Sequence, residues 1–293
     1  MQPHKIAYLP QIPQRLPTAH KGDFGTVLGI GGSRGMSGAV ALAGRAALVC
    51  GSGLVRLAVP DPVLETVAGF DPNYTTFPLP ADRRGRIALA AVKTVQRYAK
   101  TATAMFLGPG LGRSAGLDVF VKRILRTIEK PMVVDADALN ALGVPDKPFR
   151  PNIVLTPHSG EFARLTGKPM PSEEQDRIAA AREFSQRLNV TLVLKGHATI
   201  VAQGNRVSVN TTGNPGMATG GSGDVLTGTI TSFLGQGFEP FDAARLGVYL
   251  HGLAGDFAAE RLGQASVLAT SIIESLPEAL RQSLDLPSAE NGE

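Results

Sequence analysis

Asp224 is the carboxylate on which the chemistry of this sequence turns. It follows five glycines in eleven residues, Gly213, Gly216, Gly220, Gly221 and Gly223, within the stretch Asn210 to Leu234. After it, Val225 and Leu226, Thr229 and Ile230, Phe233 and Leu234 recur four apart, as one buried face of a helix does. A helix is therefore expected to begin at or just before Asp224. Glycines leading into a helix leave backbone N–H groups free at its positive end, a site for phosphate oxygens. Gly220, Gly221, Ser222 and Gly223 are the expected anion hole. A carboxylate among such donors repels the ligand they attract, and two readings explain its presence. Asp224 caps its own helix, a role worth about 0.5–2 kcal/mol, or it takes a proton from a hydroxyl while the loop steadies a phosphoryl group in transfer. The density of glycine favours the second.

Other reactive residues follow apolar runs that read as strands. Met132 to Val134 delivers Asp135, Asp137 and Asn140, a pair of acids past a strand's C-terminal end, where α/β folds bind ligands. Capping of the short helix that follows accounts for one of them equally well. Asn152 to Leu155 leads through a proline to His158 and Glu161; for a lone histidine a structural role is the default. Ala104 to Leu107 enters GPGLGR, where Gly110 and Gly112 admit a ligand to the backbone and Arg113 offers a forked donor for phosphate. An ordinary strand-to-helix turn reads the same way. Lys195, Gly196 and Thr199 close a turn after the run Val190 to Leu194. Gly29, Gly31, Gly32 and Gly35 follow the strand Thr26 to Ile30, but GxGxxG would need glycine where Arg34 stands, so this is a close-approach turn rather than a dinucleotide fingerprint.

These residues need a scaffold of alternating strands and helices. Further strands are expected at Leu54 to Val59, Thr199 to Ala202 and Arg206 to Val209. Helices are expected at Ser37 to Val49, Ile87 to Tyr98, Ser172 to Leu188, Phe241 to Arg261 and Val267 to Ser283. With 34 glycines for tight turns, 5% aromatics and no tryptophan, the core is built from Ala, Val, Leu and Ile, which suits a parallel sheet buried on both faces. The 293 residues show no repeat or linker, and one domain is expected over 1–293, with a lead-in arm at 1–20 and a disordered tail at 284–293. The small-residue face Ala244, Gly247, Gly252, Gly255 and Ala259 is either an interface or core packing.

Composition excludes several classes. A lone Cys50 rules out an internal disulfide and fits a reducing cytosol, with the side chain read as a small buried residue. No signal peptide is visible and apolar runs are broken within about 18 residues, so a cytoplasmic protein without membrane attachment is expected. The net charge of +4 suits anionic small molecules. The basic clusters Arg83, Arg84, Arg86 and Lys122, Arg123, Arg126 carry no interleaved aromatics and read as solvated faces, which argues against nucleic acid. No GxxxxGK followed by Ser or Thr occurs, which disfavours a P-loop ATPase.

TPHSGE at 156–161, KGHAT at 195–199 and NPGMATGGSGDVLTG at 214–228, preceded by GPGLG and DADALN, resemble the nucleotide-dependent NAD(P)H-hydrate dehydratases of the ribokinase-like superfamily. Motifs match in order from Lys21 to Gly255. The resemblance implies a three-layer α/β sandwich and a repair reaction in which hydrated NADH or NADPH loses water at the expense of ADP or ATP, with Mg²⁺. Ala39, Gly110, His158 and Asp224 match the hydrate-binding positions, which moves His158 from a structural role to a substrate contact, and Asp224 is the implied base. Lys195, Gly196, His197, Ala198, Thr199 and Gly223 match the adenine-nucleotide positions. Asp135 and Asp137 are candidates for holding the metal. Two-function versions of the family carry an N-terminal epimerase domain for which the sequence leaves no room, so the expectation is the stand-alone form, a homo-oligomer with a tetramer as its candidate state, and the epimerase on a separate chain. The family's usual Gly-Thr-Gly-Asp reads Gly-Ser-Gly-Asp here, and Ser222 keeps the hydroxyl. The rival readings are a vitamin-precursor kinase of the same superfamily and a non-catalytic nucleotide sensor, which would not need Asp224.

Overall fold

The structure is a computed structural model that describes residues 4–5 and 9–284. Its strands are β1 (His4–Lys5), β2 (Thr26–Ile30), β3 (Leu54–Pro60), β4 (Thr75–Leu79), β5 (Ala104–Leu107), β6 (Met132–Val134), β7 (Ile153–Leu155), β8 (Thr191–Leu194), β9 (Ile200–Gln203) and β10 (Arg206–Val209). Its helices are α1 (Ser37–Val49), α2 (Leu64–Ala68), α3 (Val92–Ala99), α4 (Ala115–Thr127), α5 (Asp137–Leu142), α6 (Ser159–Thr166), α7 (Glu174–Leu188), α8 (Ser222–Gly235), α9 (Pro240–Leu262) and α10 (Ala269–Leu284). Among the described residues the strands form one sheet in the order β1-β10-β9-β8-β7-β6-β5-β2-β3-β4. Every pairing is parallel except those of β9 with β8 and β10.

The period of two along each strand sorts side chains to the two faces. Met105 and Leu107 pack with Phe120, Phe162 and Phe184 from α4, α6 and α7. Ala104 and Phe106 pack with Val225, Phe233 and Phe241 from α8 and α9. The expected sandwich, a mostly parallel sheet with helices on both faces, is therefore the observed one. α8 differs from the expected one-sided helix, because twelve of its fourteen residues, from Ser222 and Val225 through Gly235, are buried. Its threonines tolerate this by bonding to their own helix: Thr229 Oγ1 donates to the Val225 carbonyl at 2.9 Å and Thr231 Oγ1 to that of Thr227 at 2.6 Å. A Cβ on Gly228 would lie 2.0 Å from the Ala43 carbonyl oxygen, so glycine lets α8 cross α1 backbone to backbone.

Five elements lie outside the expectations: β1, α2, β4, α4 and α6. β4, TTFPL, is half-exposed and carries a proline, so it lacks the apolar run of a central strand. α4 buries Leu117, Phe120, Val121, Ile124 and Leu125 behind the basic residues read as a solvated face. α6 begins directly at the TPHSGE motif. The run from Ile87 is a short 3-10 turn at Leu89–Ala91 before α3 begins at Val92. The lead-in arm from residue 9 is anchored by Arg15, whose guanidinium donates to the Gly51 carbonyl at 2.6 Å and stacks over Phe24. Residues 1–3 and 6–8 of that arm lie outside the described residues. So do residues 285–293 of the expected tail, and Leu284 is the last residue of α10.

Candidate active site

Parallel neighbours end at the same edge of a sheet, and here four of them end in chemistry. β5 leads into Gly108 to Gly110, β6 into Asp135, β7 through Thr156 and Pro157 into His158, and β8 into Lys195. The ladder continues beyond the strands: Asp135 N–H donates to the Leu107 carbonyl at 3.1 Å and Lys195 N–H to that of Pro157 at 2.9 Å. The approach is close enough that a Cβ on Gly108 would sit 1.8 Å from the Asp135 carbonyl oxygen. Two non-glycine residues with positive φ fall in the same region, Ala136 at 50° between the two aspartates and Ala198 at 53° in the KGHAT turn. Such strained conformations persist where surrounding structure enforces them, as binding sites do.

The N-terminus of α8 faces this edge. Gly221, at φ 89°, is its N-cap, and Val225 N–H is the first to bond back, to the Gly221 carbonyl at 3.1 Å. The N–H groups of Gly223 and Asp224 therefore precede the helical ladder. The Asp224 carboxylate makes no hydrogen bond among the described residues, and nothing supports it as a cap. Its pKa is pushed up to about 7, chiefly by burial, then by Asp135, with Asp137 adding in the same direction and Lys195 opposing. A carboxylate so placed exchanges protons near neutrality.

Lys195 and Asp135 form the electrostatic centre of the edge. Lys195 Nζ donates to one Asp135 oxygen at 2.8 Å, and Thr227 Oγ1 on α8 donates to the other at 2.7 Å. Burial works against the Lys195 charge, but Asp135, Glu161 and Asp224 outweigh it and hold its pKa above the ordinary value. Glu161 is 5% exposed and its carboxyl is raised by burial, with Lys195 opposing. It accepts the His158 N–H at 2.9 Å while His158 Nδ1 accepts from Gly160 N–H at 3.0 Å, a reciprocal cap for α6. The imidazole is still half exposed, with Nε2 3.6 Å from Glu161. His158 therefore has the structural role that a lone histidine suggests and remains open to a ligand. Gly110, at φ 67°, lies on this side: its missing Cβ would meet the Met36 carbonyl oxygen at 2.4 Å and the Ala39 Cβ at 3.2 Å.

Beside the first turn of α8 lies a cavity of about 480 Å³. All five residues from Lys195 to Thr199 line it, together with Ser222 and Gly223. A Cβ on Gly223 would stand 3.3 Å from Lys195 Nζ. Gly221 turns instead toward Leu42 and Ala269, and Gly220 meets nothing within 4 Å, so the two glycines that open the turn differ from the two residues that line the cavity. The opposite wall is the loop 212–218 with His251 and Gly252 of α9. Asp256 pins that loop by accepting from Gly213 N–H at 2.8 Å and Asn214 Nδ2 at 2.9 Å. The small-residue face of α9 is consumed within the chain: Gly247 abuts Ile230, Gly252 abuts Thr212 and Gly255 abuts Met217.

For a divalent cation the donor set is sparse. Among the described residues no group of three His, Cys, Asp or Glu side chains is placed to hold a metal. Asp135 is occupied by Lys195 and Thr227, and Asp137 accepts Gly112 N–H at 2.8 Å, with the Arg113 guanidinium 4.0 Å from its second oxygen. This suits an ion carried mainly by phosphate oxygens with one protein carboxylate, as Mg²⁺ often is.

The comparisons agree with this geometry. The family model described as NAD(P)H-hydrate dehydratase matches residues 27–278. The chain belongs to the NAD(P)H-hydrate dehydratase family. A bifunctional NAD(P)H-hydrate repair enzyme of Moorella thermoacetica is 42% identical over 92% of this chain and 52% of that protein. The chain thus spans about half the length of the curated relatives it first matches. A crystal structure of a ribokinase-like superfamily protein from Enterococcus faecalis superposes with a TM-score of 0.81 at 30% identity, covering 93% of this chain and 92% of that one. The ADP/ATP-dependent NAD(P)H-hydrate dehydratase of Bacillus subtilis, co-crystallised with ATP/Mg²⁺, superposes with a TM-score of 0.79 at 31% identity, covering 93% of this chain and 95% of that one. The fold is ribokinase-like, and among the described residues no helix is long and apolar enough to cross a membrane.

Sequence reasoning about this family member missed four residues that build the site. Thr227 lies three residues after Asp224, one helical turn on, and that spacing was the available signal. Asn214 opens the quoted motif NPGMATGGSGDVLTG without being singled out in it, whereas His251 and Asp256 had no signal, because each acts on a distant segment. His251 Nε2 lies 3.3 Å from Ser222 Oγ, and burial first, with Lys195 beside it, drives its pKa down to about 4, so the ring is neutral.

Proposed function

We propose that this chain dehydrates hydrated NADH or NADPH, using ADP or ATP to turn the ring hydroxyl into a phosphate leaving group. Asp224 carries the reading. It is a half-buried carboxylate free of capping duties, next in the chain to Gly223 of the nucleotide-sized cavity and within the field of Asp135, Lys195 and Asp137. The adenine nucleotide occupies the cavity along Lys195, Gly196, His197, Ala198 and Thr199, with its terminal phosphate at the N–H groups of Gly223 and Asp224. The hydrate lies on the opposite side, against Ala39, Gly110 and His158. Asp224 takes the hydroxyl proton as the hydroxyl oxygen bonds to the terminal phosphorus and the bond to the remaining nucleotide breaks. The ring C–O bond then breaks, phosphate departs with the electron pair, and loss of a proton from the adjacent carbon restores the ring double bond. The products are NAD(P)H, phosphate and the shortened nucleotide.

Lys195, fixed by Asp135, brings a positive charge to the place where phosphoryl charge accumulates. Mg²⁺, which accompanies ATP in the Bacillus subtilis relative, supplies further neutralisation of phosphate charge when bound, and Asp137 is the residue left to hold it. A homo-oligomer is the expected assembly, an epimerase activity the expected functional partner, and a cytoplasmic setting the expected one.

The test mixes the protein with NADH hydrate, Mg²⁺ and ADP or ATP, and follows the near-ultraviolet absorbance of reduced nicotinamide together with free phosphate. Equal amounts of NADH and phosphate are expected. A stable phosphate ester with no free phosphate would make the protein a kinase instead.

A further inference from the structure

The proposed reaction uses the nicotinamide ring of its substrate and leaves the rest of a large anionic dinucleotide without a place. Since the adenine nucleotide fills the cavity on one side of Asp224, the hydrate must leave the site on the other, past Gly110 and Ala39. Three loops are joined there. Ser33 Oγ donates to the Gly110 carbonyl at 2.8 Å, Arg34 N–H donates to that of Gly85 at 3.1 Å, and the Arg86 guanidinium donates to that of Arg113. The missing Cβ of Gly112 would lie 3.2 Å from Arg86 Cδ and 3.4 Å from Met36 Cε. The loops 33–36, 82–86 and 110–113 thus form one continuous rim beside the substrate edge.

That rim is rich in arginine, and its acids are spent. Asp82 binds the Arg86 guanidinium at 2.7 Å and accepts from Arg84 N–H at 2.8 Å, so Arg86 is a strut and Asp82 shapes the turn. Asp137 holds Gly112 N–H and reaches Arg113 only at 4.0 Å. Arg34, Arg83 and Arg84 are exposed, and Arg113 is 65% exposed. None of these four guanidiniums has a closer acidic partner among the described residues. Forked donors gathered beside a substrate channel with Asp137, 4.0 Å from Arg113, as their one close counter-charge among the described residues suit phosphate oxygens.

We propose that Arg34, Arg84 and Arg113 bind the phosphate groups of the dinucleotide hydrate, as a subsite separate from the adenine-nucleotide cavity. The proposal rests on the dehydratase reading. It joins Arg113, which the sequence already offers as a forked donor for phosphate, to Arg84 from a cluster that reads as a solvated face and to Arg34.

The test compares wild type with Arg34→Ser, Arg84→Ser, Arg113→Ser and the triple variant. Because all three side chains are exposed, thermal midpoints are expected to stay near the wild-type value. Each single change is expected to raise KM for NADPH hydrate about threefold to fivefold, and the triple about 30-fold, with kcat and the nucleotide constant unchanged. An unchanged KM in the triple variant overturns the proposal, as does a rise in the nucleotide constant instead. Calorimetric titration of NADPH hydrate into wild type and triple variant reads the subsite without turnover. If wild type binds the hydrate and the triple variant binds it at least tenfold more weakly while neither produces NADPH, the rim stands and the dehydratase reading falls. Equal binding by both, or no binding by wild type, removes the rim.

Discussion

Two glycine-rich turns in this chain lead into long helices packed against each other, and they use glycine for opposite ends. Before α1, a Cβ on Gly29 would lie 2.1 Å from the Phe106 ring, and one on Gly31 would lie 2.3 Å from the Pro109 carbonyl oxygen. Before α8, Gly220 meets nothing within 4 Å, and Gly223 looks onto the end of the Lys195 side chain. At Gly29 and Gly31 protein fills the space a side chain would take, whereas Gly35 of the same turn meets nothing within 4 Å and Gly221 of the second turn would meet Leu42 at 2.6 Å. In the second, a Cβ at Gly220 or Gly223 would stand in open space or against a movable ammonium, where a ligand can approach. The helices differ in the same sense. α1 opens with Ser37, Gly38 and Ala39, and α8 with Ser222, Gly223 and the acid Asp224. Glycine content alone does not mark an anion site; what the glycines face, and whether an acid stands with them, does.

The sharpest way to break this contrast is to neutralise the acid. Asp224→Asn is expected to lower turnover of NADH hydrate by about 10² or more while circular dichroism stays native, since a positioned base contributes about 10²–10⁴. In wild type the base must be unprotonated, so kcat/KM is expected to rise with pH through about 7, following the raised Asp224 pKa. The same shift has a thermodynamic side. The folded-state pKa lies above the ordinary value of 3.8, so the native state holds this proton more tightly than the unfolded chain, and stability from this group falls as pH rises from about 4 to about 7. Asp224→Asn removes that cost, and its thermal midpoint at pH 8 is expected to exceed that of wild type. A fully active asparagine variant would return Asp224 to the standing of an ordinary helix residue.

Matched substitutions in the two turns sharpen the comparison. Gly31→Ala drives a methyl group against backbone that cannot retreat, and overpacking of this kind costs about 1–3 kcal/mol. The expected result is a thermal midpoint several degrees lower. Gly223→Ala places its methyl 3.3 Å from the flexible tip of Lys195 and at the N–H groups that precede the helical ladder. Its expected effect is a nucleotide constant raised by about an order of magnitude with the midpoint unchanged. If Gly223→Ala behaves like Gly31→Ala, the second turn is also a packing device and the nucleotide binds elsewhere.

What could be read without a structure follows physical lines. β2, β5, β6 and α1 were legible to the residue, because buried parallel strands and alanine-rich helices are continuous local patterns, and β10, antiparallel to β9 and half-buried, through its short alternating run. Asp224 was legible through the glycines beside it, and Lys195 to Thr199 through their motif. The supports of these residues were not. Thr227 meets Asp135 across 92 positions, and Asp256 meets Gly213 across 43. Side-chain hydrogen bonds between distant segments leave no periodicity. α4 was hidden by its own surface, where Lys122, Arg123 and Arg126 drew attention away from the buried residues between them.

The smallest expected effect lies at Ser222, beside the acid. Its side chain is buried, and its hydroxyl lies 3.3 Å from Nε2 of a histidine kept neutral by burial. Threonine keeps that hydroxyl and adds one methyl group, and it is the residue the family resemblance implies at this position. Ser222→Thr is therefore expected to hold kcat and the nucleotide constant within about twofold of wild type, since one methylene-sized change in a tolerant site is worth under about 1 kcal/mol. Ser222→Ala leaves the His251 nitrogen without its partner, an unmade bond worth about 1 kcal/mol or more, and is expected to weaken nucleotide binding further than threonine does. The order of these two variants separates the hydroxyl from the volume. Should threonine prove the more damaging, steric room at the first turn of α8, rather than the hydrogen bond to His251, governs the cavity. Close packing would then shape the second glycine turn as it does the first.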